Sequence, residues 1–434
     1  MNRKKRKFML LWPDSGLSTK ANHVNAPYHF IHLGEVVNFL NKKLNNSVDV
    51  LDIEASQVEF PLFMKQIIEN DYIAIGIYLN TENLYNGLKL LDFIKIIKEN
   101  CKVICYGDMP LYLPKFFKNT KFDAIVNKNC DQELALMDYF RYAELNDEDL
   151  LHDVLIIRDH QLIPTKKGKK LDPDEWGFSS KSEVPINKYI EMEGKNQYVM
   201  TIARGCPYGC KYCNATSYYG ITERRRSISS IIKFINSHNY EYYKFFAPNF
   251  TLNKKEVYNL CDKIISNGKK IKWSCTTRPD LLEDEELIKI MSLAGCTKIA
   301  VGIESISSSD LSCIDKRYNQ KLISKGVKLT RKYNIKYKAL IMFGLPNQTK
   351  KSIFDTIEFL KKLNLEIRPT AYTPFYDMNF NMTAEQISKY DKRTYYDSID
   401  DLSYADFLKL IYDTKNYKNI LGEKLKCIKK WEWL

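Results

Sequence analysis

Three cysteines are spaced for redox chemistry. In TIARGCPYGCKYCNAT, Cys206, Cys210 and Cys213 follow a CxxxCxxC pattern in the loop directly after the apolar run YVMTIA (198–203). A tetrahedral zinc site takes four ligands, and no fourth cysteine or histidine follows within the next twenty residues. An iron–sulfur cube suits three thiolates better, because they hold three of its four irons and leave the last open to an outside ligand. Three structural or zinc-binding cysteines are the alternative. The chain has 11 cysteines, an odd number, and no export signal, which argues against a secreted disulfide framework.

This spacing resembles that of the radical S-adenosylmethionine (SAM) superfamily. The resemblance implies that the open iron of a [4Fe-4S] cluster chelates the amino and carboxylate groups of SAM. It also implies that an electron from the cluster cleaves the sulfonium to a 5′-deoxyadenosyl radical. Tyr212, immediately before the third cysteine, matches the aromatic position near the adenine. VGIES (301–305) resembles the family's GIES segment, which turns Gly302, Glu304 and Ser305 toward SAM; an ordinary strand end with a solvated glutamate is the other reading. Lys316 and Arg317 match the basic position that pairs with the SAM carboxylate, with plain surface charge as the alternative. Arg278, after WSCTT, falls where related enzymes carry an arginine near SAM, and Gly344 in IMFGLP (341–346) resembles the glycine turn that lets backbone approach a planar ligand. One departure stands out: FFAPNFTLN has Ala247, Pro248 and Asn249 where relatives often carry an acidic pair.

The elements that must position these residues repeat in two series. The first third alternates apolar runs at 8–12, 48–53, 72–78, 102–107 and 122–126 with helical stretches at 33–44 and 87–100. Apolar strands separated by helices imply a parallel sheet covered on both faces, with ligands at the carboxyl ends of its strands. Residues 146–195 carry charge runs and Pro164, Pro173 and Pro185, and read as a linker. From 196 to 372 a second series offers candidate strands at 198–203, 243–248, 271–277, 298–304, 337–344 and 367–372, with chemistry expected at their carboxyl ends. The expected fold class is α/β: a Rossmann-like parallel sheet domain over 1–145, a partial TIM-type βα barrel over 196–372, and a mostly helical region over 373–434.

A sheet domain ahead of such a barrel resembles the cobalamin-binding subgroup of radical SAM enzymes. That resemblance implies cobalamin on the loops carrying Asp14, Tyr78, Gly107, Asp108 and Asn127. The DxHxxG signature that gives cobalt a histidine is absent, and His23, His29 and His32 lie outside any such pattern. Tyr78 stands where a small residue usually admits the nucleotide tail, so a degenerate domain that merely supports the barrel is the competing reading. Cys101, Cys105 and Cys130 recur in the first domain, but apolar strand surroundings favour burial over a second cluster.

With cobalamin, the implied reaction is methylation of an unactivated carbon in a natural-product or peptide substrate, with electrons from a donor such as flavodoxin or ferredoxin. Without it, the same radical drives cyclisation, epimerisation, oxidation or rearrangement, and Cys275 or Cys296 becomes a candidate hydrogen donor. A non-catalytic carrier or chaperone and an RNA-modifying enzyme complete the alternatives; only the net charge of +13 suggests the last. The basic run Asn2 to Lys7 reads as a solvated tail, and the aromatic Tyr372, Phe375, Tyr376, Tyr395 and Tyr396 as packing or a lid. With 44% hydrophobic and 27% charged residues over 434 positions and no membrane-length apolar run, the expectation is a folded cytoplasmic protein.

Overall fold

The computed structural model describes residues 8–15, 30–44, 47–188, 196–392, 394–399 and 402–416. The basic run Asn2 to Lys7, His23 and His29 lie outside them. The chain divides into two compact units: Met1–Gly209 with Cys213–Pro248 and Pro374–Asp391, and Cys210–Tyr212 with Asn249–Thr373 and Lys392–Leu434. This differs from the expected boundaries, because the first two strands of the barrel series pack as part of the first unit.

The first unit is built on a seven-stranded sheet of order β2-β1-β3-β4-β5-β6-β7. β1 (Phe8–Trp12), β2 (Val48–Asp52), β3 (Ala74–Tyr78), β4 (Lys102–Tyr106) and β5 (Ala124–Val126) run parallel. Their side chains alternate between two cores. Phe8, Leu10, Trp12, Tyr78 and Tyr106 pack with helices Val36–Lys43 and Gln132–Leu145. Met9, Leu11, Ile77 and Cys105 pack with helices Phe60–Glu69 and Leu84–Ile97. Two buried faces explain why these strands read as unbroken apolar runs. The order 2-1-3-4-5 puts the topological switch between β1 and β3.

The expected linker is partly sheet. β6 (Val154–Arg158) pairs antiparallel with β5, and β7 (Gln161–Pro164) pairs with β6. VLIIR is short and flanked by charge, so period reading alone left it unassigned, yet it covers the edge that β5 would otherwise expose. The unit also holds β8 (Gln197–Thr201), paired parallel with β11 (Tyr242–Phe246), and the two-residue pair β9 (Ala203–Arg204) and β10 (Arg224–Arg225). Phe375 and Tyr376 pack here against Tyr112, at 4.8 Å and 5.2 Å between ring centroids, and so serve as packing.

The second unit continues the repeat with β12 (Lys272–Thr277), β13 (Cys296–Glu304), β14 (Lys336–Phe343) and β15 (Glu366–Ala371), all parallel neighbours. Helices Lys254–Ser266, Glu285–Leu293, Gln320–Lys332 and Lys350–Lys362 alternate with them, and the side chains of Asn253, Asp284, Asn319 and Thr349 cap their first turns. Within the expected helical tail, the helices Ala384–Ser388 and Tyr404–Asn416 are described. The fold is a Rossmann-like sheet domain followed by a partial βα barrel of TIM type. Among the described residues, no helix is long and apolar enough to cross a membrane.

Candidate active site

The cysteine loop is anchored in the first unit through its own backbone. Gly205 has φ +90°, and a Cβ there would lie 2.0 Å from the Thr222 carbonyl oxygen, so only glycine leads into Cys206. The Cys206 amide donates to the Gly220 carbonyl at 3.2 Å. Two residues upstream, Arg204 is fully enclosed by carboxylates: it donates to Glu133 at 2.7 Å and to Asp131 and Glu35 at 3.3 Å, and lies over the Trp176 ring at 4.4 Å. Arg224, its β10 partner, donates to Asp131 at 2.7 Å. Burial pushes the Glu35 carboxyl up against the pull of Arg204 and Arg226. Asp131 is driven up by burial as well, but its bonds to Arg224 and the charge of Arg204 outweigh that and hold it below the ordinary value. Burying this many charges is tolerable only because they pair.

After Cys213, Asn214 donates to Asp108 at 3.2 Å and the Tyr218 hydroxyl donates to the same carboxylate oxygen at 2.5 Å. Asp108, expected at the cobalamin loop, therefore ties the end of β4 to the cysteine segment.

In the second unit, Glu304 closes β13 in the left-handed region, φ +59°. Its Oε1 accepts from the Tyr212 hydroxyl at 2.8 Å and from Lys316 Nζ at 2.7 Å, and Lys316 also donates to the Gly302 carbonyl at 3.1 Å. Glu304 and Lys316 are buried, with side chains 6% and 4% exposed. A Cβ on residue 302 would lie 2.8 Å from Glu304 Oε1, so the glycine gives the pair its room. Of the two expected basic residues, Lys316 is the one turned inward: residues 315–319 alternate, with Lys316 and Tyr318 buried and Arg317 exposed. Tyr318 fixes this stretch by donating to the Gly302 and Ile303 carbonyls.

Arg278 lies beside Cys210, with its Nη1 4.0 Å from the sulfur, while Asp280 holds the guanidinium through bonds of 3.0 Å and 3.2 Å. Gly344, φ +82°, meets nothing within 4 Å of an added Cβ, so its turn faces open space. Sequence reasoning missed what holds that turn. Gln348 Oε1 accepts from the Gly344 and Leu345 amides at 2.7 Å and 3.2 Å, and its amide donates to Asp310, which accepts from Ser305 at 2.7 Å. Ser305, buried in this network, joins the ends of β13 and β14 and does not face outward. A polar residue four positions past a strand-end glycine was the available signal.

Cys275 and Cys296 turn away from this end. Cys275 shares the helix-facing row of β12 with Trp273, and Cys296 opens β13, roughly 26 Å of strand from Glu304. Burial pushes the Cys296 thiol well up, and a hydrogen bond with Cys275 adds to it. Neither sulfur is placed to return hydrogen to a substrate at the strand ends.

At the expected cobalamin loops, Trp12 and Tyr78 stack at 3.9 Å and 8° across the switch point, and Tyr106 meets Tyr78 edge-on at 5.4 Å. The His32 ring lies 5.4 Å from Tyr78. Asp14 Oδ1 and the Tyr106 hydroxyl are buried at the ends of β1 and β4 and find no hydrogen-bond partner among the described residues. Asn127, after β5, donates its amide to the Asp153 carbonyl at 2.8 Å. Cys101, Cys105 and Cys130 are buried thiols; burial pushes all three up, Cys101 to about 12, which disfavours a second cluster.

Residues 200–360 match the radical SAM superfamily. The chain carries a radical SAM domain. It is 25% identical over 382 residues to an uncharacterized methyltransferase of Pyrococcus horikoshii, covering 85% of this chain and 81% of the relative. An anaerobic magnesium-protoporphyrin IX monomethyl ester cyclase of Cereibacter sphaeroides is 26% identical over 52% of this chain, which spans only 37% of that relative. Among solved structures, the radical SAM methyltransferase TsrM of Kitasatospora setae, with cobalamin and a [4Fe-4S] cluster bound, superposes with TM-score 0.70 at 15% identity, over 86% of this chain and 74% of its own. At that identity the likeness is one of fold. The matched stretch includes Cys206, Cys210 and Cys213.

The cysteine set fits a [4Fe-4S] cluster. It offers three thiolates, one beside a guanidinium, and no group of three or more His, Cys, Asp or Glu among the described residues converges on a single ion. Thiolates that each bind a different iron of a cube have no need to share one. For cobalamin the fit is divided: Asp14 Oδ1 and the buried Tyr106 hydroxyl lack partners among the described residues, while the Trp12–Tyr78 stack fills the crevice a nucleotide tail would enter.

Proposed function

We propose that this protein is a cobalamin-dependent radical SAM methyltransferase acting on an unactivated carbon of a small natural-product or peptide substrate, in the cytoplasm, with electrons from a flavodoxin- or ferredoxin-type donor. The observation that carries the reading is the cysteine loop in a radical SAM domain together with the Glu304–Lys316 pair folded over Gly302. The Rossmann-like domain ahead of it and the methyltransferase relative support the methyl-transfer part.

Cys206, Cys210 and Cys213 would hold the cluster, and Asp14, Tyr106, Gly107 and Asn127 would border cobalamin. When bound, the cluster supplies the electron that cleaves SAM, and cobalamin supplies a transferable methyl group. The chain's own side chains supply placement. Glu304 fixes the Tyr212 hydroxyl and neutralises Lys316, so the tyrosine ring is held in one orientation beside a buried charge pair. Gln348 locks the Gly344 turn open toward SAM, and Arg278 sets positive charge against the Cys210 sulfur.

Reconstituted protein given cobalamin, SAM and a low-potential reductant is expected to form both S-adenosylhomocysteine and 5′-deoxyadenosine once substrate is present. Formation of 5′-deoxyadenosine with no cobalamin uptake would replace methyl transfer by the cobalamin-independent reading, which the filled β1/β3 crevice favours.

A further inference from the structure

We infer that the inner face of the second unit binds an anionic group of the substrate through Lys298, Lys338 and Arg368; this assigns a substrate class to the site proposed above and rests on that reading.

β14 and β15 alternate strictly, as does β13 from Lys298 to Val301. Ile299 and Val301 of β13, Tyr337, Ala339 and Ile341 of β14, and Ile367 and Ala371 of β15 are buried on the side of the helices. The opposite row, Lys298 and Ala300, Lys338, Leu340 and Met342, and Arg368 and Thr370, is only partly covered. In a βα barrel the row turned from the helices faces the interior. Pairing brings its charges together: Lys298 is opposite Lys336, Ala300 is opposite Lys338, Lys338 is opposite Glu366, and Leu340 is opposite Arg368. Four cations therefore share one carboxylate, and Lys338 takes it, with its Nζ 2.5 Å from Glu366.

Lysines on the outer helices of the same unit pair with acids, as Lys325 does with Glu283, Lys332 with Glu285 and Lys351 with Asp355. Among the described residues Lys298 and Arg368 have no such partner, although their side chains are partly covered. Their charge reaches the Lys338 ammonium: burial and these two cations lower its proton affinity against the pull of Glu366. A half-covered cationic row with one acid is a standing cost that an incoming anion would offset.

Lys298 precedes Gly302 by four residues, roughly 13 Å of strand. The anion would therefore anchor the far end of an elongated substrate whose reacting carbon lies near the strand ends. Phosphate and carboxylate share the required chemistry.

The test is calorimetric titration of the full, cluster-loaded chain with pyrophosphate and, separately, with succinate. At least one is expected to bind, and Lys298→Gln/Arg368→Gln should weaken it by at least about tenfold, the affinity lost on removing two charge-assisted contacts. Lys298→Arg/Arg368→Lys should retain binding, which separates charge from folding, and SAM affinity serves as the internal control. Preference for pyrophosphate assigns a phosphate group, and preference for succinate a carboxylate. No binding of either anion by the wild-type chain, or equal affinity in the Gln variant, overturns the inference. Loss of SAM binding in the wild-type chain with anion binding intact would instead overturn the proposed function.

Discussion

The two series of parallel strands end in opposite chemistry. In the first unit, Trp12, Tyr78 and Tyr106 close the ends of β1, β3 and β4 at 3%, 3% and 0% exposure, and burial pushes Asp52, at the end of β2, up to about 8. That end is filled by rings, and the carboxyl that closes β2 is held toward its neutral form. In the second unit, β13 ends in a buried charge pair over Gly302 and β14 in a glycine turn with open space above it. Both lie where parallel α/β sheets bind ligands. The difference shows that strand-end position alone does not make a site: a glycine leaves room and a ring removes it.

The charge pair should give the largest effect. Lys316→Met leaves Glu304 buried and unpaired, and is expected to cost about 3–5 kcal/mol in urea unfolding. Adding Glu304→Gln should restore much of the loss. A cost below about 1 kcal/mol, the size of an exposed pair, would erase the contrast between the two ends.

Tyr78→Ala probes the filled end from the other side. It should cost roughly 3 kcal/mol, the lower range for truncating a buried aromatic, and cobalamin uptake should rise as the crevice opens. Unchanged uptake would show that the Trp12–Tyr78 stack is not what closes it.

Much of this organisation is legible in the sequence, for physical reasons. Strands buried on both faces leave runs such as YIAIGIY, and the cysteine loop is local, so neither needs tertiary knowledge. The harder points depend on distant partners. Lys316 and Arg317 are neighbours, and only the alternation with Ile314 and Tyr318 decides which turns inward. Gln348 and Asp310 act on backbone and side chains that folding brings to them, and VLIIR becomes an edge strand because β5 lies beside it. Cys275 and Cys296 look central in sequence, but strand parity puts Cys275 in the row of Trp273, and Cys296 opens its strand far from Glu304, next to a register shift.

Two smaller effects sharpen the comparison. Gly344→Ala forces a left-handed alanine and should cost about 1–2 kcal/mol with weaker SAM affinity, whereas Gly209→Ala, also in open space but without positive φ, should change neither. Asp52 titrates with a raised pKa, so the stability from its neutral form is complete below about 4 and is lost as pH rises toward about 8. Asp52→Asn keeps an acceptor for the Ala55 amide and should flatten the stability profile over that window by at most about 1.4 kcal/mol per pH unit. An unaltered slope would mean that this strand end is charged after all.

The central claim is that Cys206, Cys210 and Cys213 hold a cluster that cleaves SAM. Its most direct measurement is 5′-deoxyadenosine formed from SAM and reductant by anaerobically reconstituted protein, compared with the Cys206→Ala/Cys210→Ala/Cys213→Ala variant. The wild-type chain should carry about four irons and release 5′-deoxyadenosine, and the variant should do neither. A wild-type chain that takes up no iron and sulfide, or a variant that releases the nucleoside at the same rate, would contradict it.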